Sequence, residues 1–416
     1  MSLAVAAVYI LATLDTKGQE AAYVRDLLVS WGIPVVLVDV GSLGTPTVPA
    51  DVPREQVFEL AGTTADGVRR AGDRGLAVTR AAEGAARLTR DSYGLGEVAG
   101  VLALGGSAGT TIGTAAMKVL PLGVPKVMLS TLASGMVRQF VGDKDIFMLN
   151  AVVDIAGINR VSRPILSEAA RAIAGLVTRP GPLVDGSDKP LVAATMFGVT
   201  TPCVERARRM LEAAGYEVLI FHATGNGGQA MESLIGEGLI AGVLDITTTE
   251  LADEHVGGFL SAGPNRLTAA GRAGIPQVVS TGATDMVNFY APDSVPSRFS
   301  DRTFYKHNAN VTLMRTTASE NAVIGRDIAT KLSAATGPVA VLLPALGVSA
   351  IDKTGQPFDD PVARRVLHDS IRDGLRGADV AELDLHINDP EFADAAARKL
   401  IELMRTTSRS LRAVDE

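Results

Sequence analysis

The sequence predicts an α/β protein made of two Rossmann-like subdomains, each with a parallel sheet flanked by helices. Short apolar runs rich in Val, Ile and Leu alternate with longer amphipathic stretches, which is the pattern of parallel strands covered by helices. The 416 residues exceed what one compact core usually holds. Residues 178–190 are rich in Pro, Gly and Asp, a composition typical of an interdomain linker. We therefore predict one domain at 1–180 and a second at 181–416.

The predicted elements follow this rhythm along the chain. In the first half, strands are predicted at 4–14, 34–40, 100–106, 125–130 and 145–153, with helices at 17–31, 76–90, 110–120 and 162–177. In the second half, strands are predicted at 191–198, 216–222, 242–248, 276–282, 310–316, 339–344 and 380–386. The helices between them include 204–214, with Pro202 in its first turn, and 319–332.

Composition excludes some classes of function. The chain has 39 Lys and Arg against 46 Asp and Glu, a net charge of −7, and it lacks the basic runs on which nucleic-acid binding depends. Aromatic residues, which stack on bases, make up only 4%. The single cysteine, Cys203, allows no internal disulfide, and no apolar run reaches the roughly 18 residues of a membrane span. We expect a cytoplasmic protein with neither a nucleic-acid nor a membrane partner.

The loop after the third predicted strand carries the strongest functional signal. It reads Gly105, Gly106, Ser107, Ala108, Gly109, Thr110 and Thr111, and a helix follows. Glycines let the backbone approach a ligand, and a helix N-terminus supplies free N–H donors and partial positive charge. The loop is neither a P-loop nor the G-x-G-x-x-G that follows a first strand. We predict that it binds a phosphate; the alternative is a strand-to-helix turn that uses glycine for close packing.

Three other loops are expected at the same edge of the sheet. The first holds Lys17, a point charge for the same phosphates, although Asp15 or Thr16 alternatively caps a helix and leaves Lys17 solvated. Asp39 ends the second strand, where an acidic residue often accepts a ribose hydroxyl, unless it is a turn residue. The predicted nucleotide-binding residues are Thr13, Asp15, Thr16, Lys17, Asp39, Gly105, Gly106, Ser107, Gly109, Thr110, Thr111, Ser130, Thr131, Ser134 and Gly135.

Polar residues also follow strands in the second half, and they predict a second pocket for a small polar or anionic substrate. The candidate catalytic residues are His222, a general base by its ordinary pKa, together with Asp285 and His386. The alternative is that these side chains are structural. Cys203 lies at a predicted helix N-terminus, which lowers a thiol pKa, unless it is simply buried. No H-E-x-x-H or C-x-x-C spacing occurs, so no metal site is predicted.

Several strings are specific enough to indicate a family, among them LATLDTKG, LGGSAGT, TMFGVTTPCVE, FHATGNGGQAMESLI and HNANVTLMRTT. Over nearly its whole length the chain resembles an uncharacterised protein family whose plant members include the tomato mosaic virus resistance protein. The chain looks like a bacterial stand-alone member. The resemblance implies two Rossmann-like subdomains, a homodimer, and ATP bound by the N-terminal subdomain. Members usually read GGSGGT where this chain has Ala108, and alanine resists a positive φ.

Two functions stay open at this point. The first is an ATP-dependent enzyme that holds a small-molecule substrate between its domains, with Mg²⁺ bridging the nucleotide phosphates. It predicts substrate-dependent ATP consumption that is lost in His222→Ala. The second is a regulatory or partner-binding module that binds ATP without turnover.

Overall fold

The computed structural model describes residues 6–135, 137–179 and 188–412, with side chains up to 407, and it confirms the predicted α/β class. The chain divides into two compact units, Met1–Val184 (unit 1) and Asp185–Glu416 (unit 2). Residues 4 and 5 of the first predicted strand and residues 180–187 of the predicted linker lie outside the described residues.

Unit 1 is built on a parallel sheet of five strands. They are β1 Ala7–Ala12, β2 Val35–Asp39, β3 Val98–Gly105, β4 Lys126–Ser130 and β5 Phe147–Asn150, in the order β2-β1-β3-β4-β5. Runs of Val, Ile and Leu suit these strands because both faces of the sheet are covered. The chain leaves β1 on one side and β3 on the other, so a topological switch point lies between them. Sheets of this order bind ligands beyond the carboxyl ends of those two strands.

Helices cover both faces of this sheet. They are α1 Leu14–Ser30, α2 Arg54–Leu60, α3 Ala65–Ala71, α4 Arg74–Gly94, α5 Ser107–Lys118, α6 Arg138–Val141 and α7 Ser162–Thr178. One hydrophobic cluster joins the sheet to α2, α4 and α5, and a second joins it to α1 and α7. The N-terminus of α4 is fixed by Asp73, whose carboxylate accepts the N–H of Leu76 at 3.0 Å.

Two helices of unit 1 begin earlier than the sequence predicts. The first starts at Leu14, because the Leu14 N–H donates to the Asp39 carboxylate at 3.1 Å, and α1 is kinked at Lys17, whose φ of −128° and ψ of 18° are not helical. The helix after β3 starts at Ser107, where we predicted Thr110. The prediction was therefore wrong at residues 107–109, which are helical, and the polar residues after β3 lie in the first turn of a helix.

The described residues of unit 2 form nine further strands. They are β6 Leu191–Met196, β7 Glu217–His222, β8 Gly242–Thr247, β9 Gln277–Gly282, β10 Met286–Phe289, β11 Phe304–Asn308, β12 Val311–Arg315, β13 Val339–Pro344 and β14 Asp379–Leu383. Six of them form a parallel sheet in the order β14-β13-β9-β8-β6-β7. Its helices are α8 Thr201–Ala213, α9 Asn226–Gly236, α10 Thr249–Val256, α11 Ala269–Ala273, α12 Ala318–Ser333, α13 Pro361–Gly374 and α14 Pro390–Arg412.

A small antiparallel sheet in the order β10-β12-β11 departs from the predicted architecture. The sequence predicts β12 but misses β10 and β11, which are strands of only four and five residues. Met286 and Leu313 of this sheet form a hydrophobic cluster with Val199, Ala283 and Phe358. The antiparallel sheet thereby packs against the segments that follow β6 and β9.

One fully buried arginine ties several segments of unit 2 together. The guanidinium of Arg266 makes two hydrogen bonds to Asp245, at 2.6 and 2.7 Å, and one to Glu250 at 2.6 Å. The other Glu250 oxygen accepts the N–H groups of Gly225, at 2.7 Å, and Gly228, at 3.1 Å. Strand β8, helix α10 and the glycine-rich turn before α9 are therefore joined by one charged network.

Replacing Arg266 by methionine tests how much this network contributes to stability. The Arg266→Met variant leaves the buried Asp245 and Glu250 carboxylates without their cation, so we expect the free energy of unfolding to fall by about 3–5 kcal/mol. Urea unfolding of the full chain followed by circular dichroism measures the loss. The matched control is Arg272→Met, an exposed arginine, for which the change should stay within about 0.5 kcal/mol. Equal stability of the two variants would contradict a central role for Arg266.

Candidate functional site

A cavity of about 300 Å³ lies at the β1/β3 switch point of unit 1. This volume is at the lower end for small-molecule sites. The first turns of α1 and α5, the segment after β2 and one face of α4 enclose it. The lining residues are Thr13, Asp15, Thr16, Lys17, Val40, Ser42, Leu43, Arg74, Ala77, Val78, Ala81, Gly105, Gly106, Ser107, Ala108, Gly109, Ile112 and Asp154.

The N-terminus of α5 faces this cavity without a side-chain cap. Its N-cap residue is Gly106, which has no side chain to accept the first N–H groups. The first backbone bond of the helix runs from the Thr110 N–H to the Gly106 carbonyl, at 2.8 Å. Residues 107–109 precede that bond, so their N–H groups have no partner within the helix. These groups and the positive end of the helix dipole form a site for an anion.

The glycines of this segment have two different roles. A Cβ atom at Gly105 would lie 2.9 Å from the Cα of Gly109, and one at Gly109 would lie 3.1 Å from the Leu104 carbonyl oxygen. Those two glycines let α5 begin directly against the end of β3. At Gly106 the nearest atom to an added Cβ, the Thr131 hydroxyl oxygen, is 3.6 Å away, so a side chain fits there. Ala108 lies inside the helix with a negative φ and carries no strain.

Two cationic side chains reach the cavity. Lys17 lies in the first turn of α1 and is half-buried, and Arg74 begins α4 and is exposed. Neither makes a side-chain hydrogen bond or ion pair with any residue that the structure describes. The Thr13 and Thr16 hydroxyls, 2.7 Å apart, bond to each other beside Lys17. Both cations are therefore open to a ligand, although Asp15 and Asp154 balance their formal charge in the lining.

The Asp15 carboxylate stabilises the segment that follows β2. One of its oxygens accepts the N–H groups of Leu43, at 3.1 Å, and Gly44, at 2.9 Å. Arg54 adds a hydrogen bond to the Gly44 carbonyl at 2.7 Å. Asp15 thus lines the cavity while holding residues 43 and 44 in place.

Asp39 does not line the cavity, although the sequence suggested that it contacts a ribose. Its side chain is buried, and one of its oxygens accepts the N–H groups of Leu14 and Gly41, at 3.1 and 2.9 Å. The Arg54 guanidinium donates to its other oxygen at 2.6 Å. Protein donors already occupy this carboxylate, so it fixes the start of α1 and is not available to a ligand.

Several predicted hydroxyls bond within the protein. Thr110 and Ser130 are buried with their hydroxyl oxygens 2.6 Å apart, and the Thr111 hydroxyl donates to the Ser107 carbonyl at 3.0 Å. The predicted residues that do not line the cavity are Asp39, Thr110, Thr111, Ser130, Thr131, Ser134 and Gly135. Sequence reasoning missed Arg74 and the apolar face of α4, which the spacing of residues 74, 77, 78 and 81 on one helical face indicates.

The glycine-rich turn of unit 2 resembles that of unit 1 but is already filled. Gly225 is the N-cap of α9, and the two N–H groups at this helix start donate to Glu250, as described above. A Cβ atom at Gly228 would lie 2.3 Å from a Glu250 carboxylate oxygen, so the glycine makes room for that side chain. The chain thus supplies its own anion to this turn.

The structure separates the three predicted catalytic residues. His222 is exposed at the end of β7, the edge strand, whereas Asp285 and His386 lie beyond β9 and β14 and meet through Ser349. The His386 Nε2–H donates to the Ser349 carbonyl at 2.9 Å, and its Nδ1 accepts the Asn388 N–H at 3.1 Å. Burial lowers the pKa of His386. Both ring nitrogens are engaged in the neutral form, which does not fit a general base.

Asp285 is a buried carboxyl with an incomplete set of partners. One oxygen accepts the Ser349 hydroxyl at 2.7 Å, and the other has no hydrogen-bond partner among the described residues. Burial, together with the nearby charge of Asp352, raises the pKa of Asp285 to about 7, and Arg315 opposes this shift. The group therefore holds a proton well above the ordinary range of an aspartate.

The remaining predictions concern cysteine, metal and membrane. Cys203 is buried in α8, and burial raises the pKa of its thiol to about 12, so the alternative of a lowered pKa is wrong. Within the described ranges, His, Cys, Asp and Glu form no cluster of three or more that suits a metal ion. None of the described helices combines the length and apolar character needed to cross a bilayer.

Comparison with known proteins identifies relatives of the whole chain. Models described as the N-terminal and C-terminal domains of the uncharacterised protein family UPF0261 match residues 6–181 and 189–404. A UPF0261 protein of Clostridium tetani is 47% identical over 399 residues, which cover 95% of this chain and 98% of that protein. The UPF0261 protein RA0729 of Rhizobium meliloti is 48% identical, with 94% and 97% covered.

A plant relative and a solved structure complete the comparison. The ToMV resistance protein Tm-1(GCR237) of Solanum lycopersicum is 41% identical, and the matched region covers 95% of this chain but 55% of that longer protein. The structure of MurG from Acinetobacter baumannii is 13% identical and covers 96% of this chain and 94% of its own, with a TM-score of 0.20. That score is too low to carry an argument.

Asp285→Asn tests the buried proton. The pKa of Asp285 is about 7 in the folded chain, above the ordinary aspartate value of about 4, so folding favours the protonated form. This contribution is complete below about pH 4 and is lost as the pH rises through about 7. An amide does not titrate, so the variant should gain stability relative to the original chain between about pH 4 and pH 7, by roughly 1 kcal/mol per pH unit, and the difference should be constant above about pH 7.

Urea unfolding at each pH measures this difference. Asp384→Asn, at an exposed carboxyl beyond β14, is the control and should follow the original pH profile. If Asp285→Asn kept the original profile as well, Asp285 would be ionised throughout the range.

Proposed function

This chain belongs to the uncharacterised protein family UPF0261, and we propose that its unit 1 binds a nucleotide, ATP, through the phosphates. The observation that carries the proposal is the uncapped N-terminus of α5, which opens on a cavity that also holds Lys17 and Arg74. The ligand chemistry that this combination favours is a compact group of negatively charged oxygens. A nucleoside triphosphate provides such a group.

The electrostatics favour a phosphate over a neutral ligand. The uncapped N-terminus of α5 faces the cavity and carries roughly half a positive charge, whereas the start of α1 already has the Asp39 carboxylate on the Leu14 N–H. Lys17 and Arg74 add full positive charges with no partner among the described residues. Hydrogen bonds from charged donors contribute about 1.5–3 kcal/mol each, so a phosphate that replaces water here gains several such bonds.

Unit 2 offers an internal comparison that supports the proposal. There, the same sequence of strand, glycine turn and helix receives the carboxylate of Glu250 on its N–H groups. In unit 1 neither carboxylate of the described lining accepts the N–H groups of α5: Asp15 is bonded to the N–H groups of Leu43 and Gly44, and Asp154 is exposed. The N–H groups of α5 therefore need an external acceptor.

We propose that Mg²⁺ binds at this site only together with the nucleotide. Mg²⁺ is usually held by one or two carboxylates, water and the phosphates themselves. Asp154 is the exposed carboxylate at the cavity, and it is suited to such a role once phosphates are bound. The proposal assigns no catalytic role to His386, because both of its ring nitrogens are engaged within the protein.

Removing the cations tests the phosphate site. We expect Lys17→Ala and Arg74→Ala each to weaken ATP binding roughly 10- to 100-fold, because each removes a charged donor worth about 1.5–3 kcal/mol. Isothermal titration calorimetry of the full chain with ATP and Mg²⁺ measures the affinity. Arg90→Ala is the matched control, since Arg90 is exposed on the same helix as Arg74 and does not line the cavity.

Two outcomes would contradict the proposal. One is the absence of any heat with ATP for the original chain. The other is an equal loss of affinity in Arg90→Ala, which would indicate a general charge effect. Phosphate release measured on the same samples shows whether bound ATP is also hydrolysed.

Gly106→Asp tests the N–H groups of α5 directly. An added Cβ fits at Gly106, and aspartate is a favourable N-cap, so the new carboxylate should occupy these N–H groups as Glu250 does in unit 2. We expect ATP binding to be lost while thermal stability is unchanged or raised. Gly106→Ala is the control, because it adds the Cβ but leaves the N–H groups free. Retained ATP binding in Gly106→Asp would show that α5 does not hold the phosphates.

A further inference from the structure

We infer that the cavity selects its ligand by phosphate charge and by the bulk of the attached organic group, and is indifferent to the identity of the base. Val78 and Ala81 of α4 are the residues that set the room for that group. The inference rests on the proposed function and extends it to the class of nucleotide that the site accepts.

One part of the lining, the apolar wall, has only hydrocarbon side chains. It consists of Val40, Ala77, Val78, Ala81 and Ile112, which belong to or pack against the hydrophobic cluster on this face of the sheet. The side chains of Ala77 and Ala81 are buried and small, and their size leaves the cavity its volume. A nucleobase or sugar that lies on this wall meets only carbon atoms of side chains.

Along the face of α4 that lines the cavity, a charged residue comes first and apolar residues follow. Residues 74, 77, 78 and 81 repeat at the spacing of one helical face, so the arginine lies at the helix start and the alanines lie one and two turns further along. The other groups proposed to donate to a phosphate are Lys17 of α1 and the first N–H groups of α5. The cavity therefore suits a ligand with an anionic part and a flat apolar part.

Base recognition needs hydrogen-bonding groups that this wall lacks. Among the described lining residues there is no Asn, Gln, His or aromatic side chain. Ser42 lies two residues after Val40, and its hydroxyl both donates and accepts, so it tolerates either pattern on a base edge. Sites that discriminate strongly do so by leaving buried polar groups unpaired with the wrong ligand, whereas apolar pockets discriminate weakly.

The test compares nucleotides with a ligand that has phosphates alone. Calorimetry of the full chain with ATP, GTP, CTP and inorganic tripolyphosphate should give affinities for the three nucleotides within about tenfold of one another. In Ala81→Leu the added bulk should weaken all three nucleotides by roughly tenfold and leave tripolyphosphate unchanged. Ala86→Leu is the matched control, because Ala86 lies on α4 away from the cavity. Val78→Phe, at a partly exposed position, serves as the second variant if Ala81→Leu does not fold.

The outcomes separate this inference from the proposal beneath it. ATP affinity more than about 100-fold above that of GTP and CTP overturns base indifference and leaves phosphate binding intact. Equal weakening of ATP and tripolyphosphate by Ala81→Leu or Val78→Phe overturns the assignment of the apolar wall. If neither ATP nor tripolyphosphate binds to the original chain, the proposed function itself fails.

Discussion

The first N–H groups of a helix need an acceptor, and this requirement shapes both halves of the molecule. When a helix begins directly after a parallel strand, its first three N–H groups cannot bond within the helix. A side-chain cap, water or a ligand must accept them. In unit 2, Glu250 meets the requirement at the start of α9, whereas in unit 1 the glycine N-cap of α5 leaves it unmet. That difference distinguishes a structural turn from a binding site.

When a side chain of the protein itself accepts these N–H groups, that side chain needs partners of its own. A buried carboxylate is costly unless a cation pairs with it, and Glu250 is fully buried. Arg266 supplies the cation, but it also needs Asp245 to use its remaining donors. The result is a network in which each charge depends on its neighbours. Such a network fixes the turn before α9 in one geometry, which suits a scaffold and leaves no place for an incoming anion.

Local patterns in the sequence predict a large part of the fold, because strand and helix periodicities are local. The parallel strands, the glycine-rich segment after β3 and Pro202 in the first turn of α8 are of this kind. The site was only partly predictable. Asp39, Thr110 and Ser130 are polar residues at strand ends, as ligand contacts are, but their partners are Arg54, Leu14 and one another. Those pairings join residues far apart in the chain, and no spacing reveals them.

The acidity of the chain does not oppose the binding of an anion. The net charge of −7 is spread over the whole molecule, and charges more than a Debye length of about 10 Å away are screened at ordinary ionic strength. What a phosphate in the cavity experiences is the nearby set: the N-terminus of α5, Lys17 and Arg74, against Asp154 and an Asp15 already bonded to backbone N–H groups. Composition therefore excludes extended polyanions, which need many cations in a row, but not a single compact one.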